Sequence, residues 1–83
     1  MIAIEIKEKV IMLIKELKQS SSGIPEKELI SSGFLDSFDI ISLVDRLEKA
    51  FGITVSGDDI VMENFEEVEL IAKLVVRKKG EAE

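Results

Sequence analysis

The chain is 83 residues long, enough for one small domain around a single core. It has no cysteine and no histidine, which removes disulfides, a protein thiol, the commonest metal ligand and the usual general base. A formal charge of −6 disfavours binding to nucleic acid or an anionic membrane and favours basic patches on other proteins.

Met1 leads straight into an amphipathic segment, with no basic n-region and no small-residue cleavage site. No signal peptide is therefore expected, no apolar run approaches a membrane span, and the cytoplasm is the expected compartment. In "IEIKEKVIMLIKELKQ", Ile6, Val10, Leu13, Ile14 and Leu17 recur at the spacing of one helix face, with Ile4 and Ile11 widening the stripe. The "SSSG" of residues 20–23 ends this first helix, and Pro25 keeps the chain from re-entering it at once. From Ser20 to Asp36 there is no sustained periodicity, so a long loop is expected. Within it "PEKELI", residues 25–30, is expected to form one helical turn that brings Leu29 and Ile30 to the core. Phe34 and Leu35 are expected to pin the end of the loop.

A second helix is expected to begin at or just after Ser37 and run to about Phe51. Its core stripe is Ile40, Leu43, Val44, Leu47, Ala50 and Phe51, and Gly52 is a natural residue just past its end. Ile53 and Val55 then turn inward, and residues 58–62 are expected to form one short helix. Asn64 followed by Glu67 fits a capping box for a last helix, along which Phe65, Val68, Ile71, Ala72, Val75 and Val76 share a side. Leu70 and Leu74 fall off that stripe, which predicts burial on two sides. "RKKG", residues 77–80, places cations where they favour the helix dipole, and residues 80–83 are expected to fray. The pattern is all-α: three substantial helices, a short fourth, and no strand.

The pair Asp36-Ser37 opens the second helix. On local chemistry alone Ser37 is an N-cap, with Asp36 and Asp39 facing the positive end of the dipole. Its surroundings suggest more. A helical projection turns Phe38 and Ile41 away from the core stripe, onto an outer face shared with Ser37, Asp45 and Glu48. Two large apolar residues beside a serine, ringed by carboxylates, have the character of a docking surface. Ser37 has no base to activate it, so no residue is assigned a catalytic role, and any reaction at Ser37 must be performed by another enzyme.

"GFLDSFDIISLVDRLEKAFGITV" closely resembles the acyl carrier and peptidyl carrier protein family. The family hallmark, Asp-Ser and then a large apolar residue at the start of the second helix, is matched by Asp36, Ser37 and Phe38. Leu43-Val44, Leu47-Glu48 and Phe51-Gly52-Ile53 match the downstream pattern, and "MENFEEVELIAKLV" resembles the last helix and its lead-in. With the first helix included, the resemblance covers nearly the whole chain.

The resemblance implies a small four-helix carrier bundle, three main helices plus one short one, as a single domain over residues 1–83. It implies 4′-phosphopantetheine, donated by coenzyme A and joined through a phosphodiester to Ser37. The arm ends in a thiol that holds acyl or aminoacyl groups as thioesters, which imports thiol chemistry into a chain without cysteine. The implied partners are a phosphopantetheinyl transferase, a loading enzyme and downstream synthases or transferases. Asp36, Asp39 and Glu48 match acidic positions that family members present to basic partner surfaces, and Phe38 and Ile41 match apolar contact positions. Ser42 and Lys49 stand where fatty-acid carriers commonly have carboxylates. "GFLDSF" is closer to D-alanyl and stand-alone carriers than to the carriers of fatty acid biosynthesis.

The competing expectation is a small acidic adaptor that binds a protein through Phe38 and Ile41, with Ser37 only a cap. A calcium loop does not fit the spacing of Asp36, Asp39 and Asp45, and no metal ligand set is expected. The brief "RKKG" does not make a nucleic-acid stripe.

Overall fold

The computed structural model describes residues 3–82, with side-chain burial from 4 to 80. The elements are α1 (Ala3–Lys18), α2 (Ser37–Phe51), a 3-10 turn (Gly57–Asp59), α3 (Met62–Phe65) and α4 (Val68–Ala82). Among the described residues there is no strand, and the arrangement is the expected small all-helical bundle with three main helices and one short one.

α1 buries Ile6, Val10, Leu13 and Ile14, with Leu17 half-buried, as its period of 3.6 requires. It packs most extensively on α4 and then on α2. α2 buries Ile40, Leu43, Val44, Leu47 and Phe51, while Ala50, expected in that stripe, is exposed. Gly52 ends α2 with φ of 65°, a conformation that costs other residues a Cβ clash, and its N–H reaches the Glu48 carbonyl at 2.9 Å. α4 buries Val68, Ile71, Ala72, Leu74 and Val75, so it is covered on two sides, with Leu70 half-buried. Val76, expected in the stripe, is exposed.

Three local expectations are corrected. The helical turn expected at residues 25–30 does not form there. Glu28 takes a left-handed φ of 56°, and a single α-type turn follows it, closed by the Ser32 N–H on the Glu28 carbonyl at 2.9 Å. The short helix expected at residues 58–62 is divided into the 3-10 turn and α3, which begins only at Met62. Asn64 and Glu67 do not cap α4. Asn64 lies inside α3 and donates to the Asp59 carbonyl at 2.8 Å, while the free N–H of Val68 is satisfied by the Glu26 carbonyl at 2.9 Å.

That last bond belongs to a clamp between the long loop and the α3–α4 junction. The Leu29 N–H donates to the Glu66 carbonyl at 2.8 Å. The Glu66 carboxylate gathers the N–H groups of Ile30 and Ser31 and the Ser31 hydroxyl, at 2.9, 3.0 and 3.1 Å. Leu29 and Leu35 are thereby fixed in the core. At the other end, Lys78 pairs with Asp59 at 2.7 Å and Lys79 reaches the Phe51 carbonyl at 3.3 Å. The cations of "RKKG" therefore tie α4 to the α2–α3 connection, and the helix continues past Gly80 to Ala82.

Candidate functional site

α2 starts with Asp36 as its N-cap, in extended backbone outside the helix. The Asp39 N–H donates to Asp36 Oδ1 at 2.8 Å, and the Asp36 N–H donates back to Asp39 Oδ2 at 3.1 Å. This reciprocal capping box satisfies donors that the helix cannot. Ser37 is not the cap: it is the first residue of the helix, exposed, and its hydroxyl makes no hydrogen bond among the described residues. The task expected of it belongs to the residue before it.

The box is braced from α1. Lys18 Nζ lies 3.0 Å from Asp39 Oδ2, the same oxygen that accepts from Asp36, and 5.3 Å from the centre of the Phe34 ring. Burial pushes the Asp39 carboxyl up, but the Asp36 N–H and the Lys18 ammonium outweigh it and leave the pKa below its ordinary value. Asp39 is therefore an ionised structural acid at neutral pH.

The other acids expected on this face have different surroundings. Glu48 is part-buried and accepts the Val55 N–H at 2.9 Å, which pins the chain after α2. Asp45 is exposed and sits 3.0 Å from Lys49, one turn on. Phe38 and Ile41 are 82% and 65% exposed, as their positions predict.

Beside Ser37 an open groove of about 640 Å³ runs between the start of α2 and the approach to α3. Leu35 and Phe65 lie at its base, Ile40 and Ile41 along one wall, and Ile60, Val61 and Met62 along the other. These last three were missed as site residues. Their signal in the sequence is three successive apolar residues, exposed here, between the 3-10 turn and the first residue of α3.

The arrangement defines a class: a small helical bundle that presents an unbonded serine hydroxyl at a capped helix start, in a chain without histidine. The first-turn N–H groups of Ser37 and Phe38 have no acceptor within the helix, which suits the oxyanion of a phosphodiester on the adjoining hydroxyl. The residues present thus fit a phosphopantetheine group. The family model described as "phosphopantetheine attachment site" matches residues 8–75, so most of the chain, from within α1 to within α4, is accounted for. The chain belongs to this family, whose domain is the site of covalent 4′-phosphopantetheine attachment and is in general not itself catalytic. No curated protein matches the chain. Among the described residues, no helix is long and apolar enough to cross a membrane.

Proposed function

We propose that this protein, as one domain over residues 1–83, carries acyl or aminoacyl intermediates on an arm joined to Ser37 and presents them to partner enzymes. The observation that supports this best is the exposed, unbonded hydroxyl of Ser37 at the capped start of α2, in a chain of the phosphopantetheine attachment family. Three other serines have engaged hydroxyls: Ser31 donates to Glu66, Ser56 to Asp59, and Ser20 to the Ser22 carbonyl.

In the attachment step the Ser37 oxygen forms a bond to the phosphorus that bears pantetheine in coenzyme A. The bond from that phosphorus to the nucleotide half breaks, and adenosine bisphosphate leaves. The serine proton passes to a base on the transferase, since this chain has no histidine to take it. Once bound, the arm supplies a thiol on which cargo is held as a thioester. The chain's own residues orient the site: Asp36 and Asp39 fix the helix start, and Lys18 ties it to α1.

The partners in this reading are a phosphopantetheinyl transferase, a loading enzyme and downstream synthases or transferases. They approach over Ser37 on the face carrying Asp36, Phe38, Ile41 and Asp45, with Asp39 and Glu48 at its edge. The resemblance of "GFLDSF" to D-alanyl and stand-alone carriers favours a specialised pathway over fatty acid synthesis, and the cytoplasm, with its coenzyme A, is the proposed location. The family match does not favour the adaptor alternative, and Ser37 is not the cap that alternative expected it to be.

Thiol titration tests the proposal, because the chain has no cysteine to confuse it. After incubation with coenzyme A and a broad-specificity transferase, and removal of both, the wild-type chain should show one thiol per molecule and Ser37→Ala none. Equal thiol content in the two would overturn the assignment.

A further inference from the structure

Away from Ser37 the charge of the chain changes sign locally. Between α1 and α4 runs an open cleft of about 550 Å³, and no residue of α2 or its cap lines it. Ile4 on α1 and Val76 on α4 are its apolar walls, 60% and 47% exposed, and buried Ala72 is its floor. Lys7, Lys73 and Arg77 border it, against the single carboxylate of Glu69. In a chain of net charge −6 this is a local excess of cations.

Two of those cations are uncommitted. Lys7 pairs with Glu26 at 3.2 Å, but Lys73 and Arg77 make no hydrogen bond or ion pair among the described residues. Apolar walls rimmed by such cations are complementary to an apolar stripe flanked by carboxylates. From Glu69 to Arg77, α4 rises about 12 Å, the length of two turns of a helix lying alongside. The cleft is open, so a small ligand would leave much of its surface in water, unlike one held in a closed pocket. An isologous second copy would set the cations of one cleft against those of the other.

We propose that this cleft docks an acidic amphipathic helix of a partner protein, with apolar residues against Ile4 and Val76 and carboxylates on Lys73 and Arg77. The site is remote from Ser37. Lys18, whose ammonium meets Asp39 at the start of α2, is separated from Ile4 by about 21 Å of helix. A partner held here tethers the protein and leaves the Ser37 face open to one enzyme at a time. Docking in the cleft does not depend on Ser37 being the attachment point.

The test is titration of the full chain, followed by amide NMR, with a synthetic helical peptide of about 15 residues that carries a Leu stripe flanked by Glu. A control peptide has Lys in place of every Glu. Shifts should concentrate on residues 4–7 and 69–77 and leave residues 36–41 in place. The Glu peptide should bind about tenfold or more tightly than the Lys peptide, and should weaken about tenfold between about 20 mM and about 0.5 M NaCl. The double variant Lys73→Glu, Arg77→Glu should reverse the preference between the peptides. Ile4→Ser should raise Kd for the Glu peptide about fivefold. These positions are exposed, and circular dichroism checks that each variant is folded.

No binding at about 1 mM Glu peptide, equal affinity for the two peptides, or shifts centred on the start of α2 would overturn the proposal. Sedimentation of the chain with phosphatidylglycerol vesicles, abolished by Ile4→Ser, would also overturn it, since the occupant would then be a membrane surface. A dimer that Ile4→Ser dissociates would overturn it in favour of a second copy.

Discussion

Asp36 and Ser37 are neighbours of similar capping ability with separate tasks. Asp36 stays outside the helix in extended backbone and accepts from Asp39, while Ser37 enters the helix and keeps its hydroxyl free. The consequence for stability is asymmetric. Asp36→Ala should cost about 1 kcal/mol, the ordinary value of a lost cap, whereas Ser37→Ala should stay within about 0.5 kcal/mol of wild type. Urea unfolding measures both, and a larger loss for Ser37→Ala than for Asp36→Ala would contradict the assignment. The sequence pointed to this pair because polar residues between apolar ones at a helix start are conspicuous. It could not say which of the two caps, because that depends on a shift of one residue in where helical backbone begins. Nor could it reveal Lys18, which reaches Asp39 across 21 positions in sequence.

At the scale of elements, the helices and the connections between them have different origins. α1 and α2 follow from periodicity within their own segments, and both were legible within a residue or two at their ends. The loop, α3 and the start of α4 are set by bonds between distant segments: Leu29, Ile30 and Ser31 to Glu66, and Val68 to Glu26. A capping box read from Asn64 and Glu67 is locally sensible, yet Val68 finds its acceptor in the loop. Glu66→Ala should therefore raise amide exchange at Ile30 and Ser31 by about tenfold or more while α1 stays protected. Unchanged exchange there would show that the carboxylate is not the clamp.

The same connections predict an acid limit. The bond to Lys78 and those from Ser56 hold Asp59 well below its ordinary 3.8, at about 2, and the donors on Glu66 lower that group as well. A carboxyl with a lowered folded-state pKa contributes stability that is complete above its unfolded value and lost as pH falls through the folded one. The thermal midpoint should drop between about pH 4 and about pH 2, and Asp59→Asn should flatten that decline. An equally steep fall in the variant would place the acid sensitivity elsewhere.

At the scale of the molecule, the total accessible surface is 5103 Å². A protein interface of standard size takes about 800 Å² per partner, roughly a sixth of it. Because every enzyme acting at Ser37 must cover the start of α2, partners are expected to occupy overlapping areas and to bind one at a time. Two partner enzymes should therefore compete in a binding assay, and a stable ternary complex would contradict that geometry. The helix order and the Asp-Ser position were available from sequence at this scale, but the groove was not, since its two walls come from separate elements. The measurement that tests the account most directly is tandem mass spectrometry of the protein after reaction with coenzyme A and a phosphopantetheinyl transferase. One phosphopantetheine arm is expected on the peptide containing Ser37, bonded at that residue. An arm on another serine, such as Ser42 or Ser31, or none on a folded chain not already modified, would contradict it.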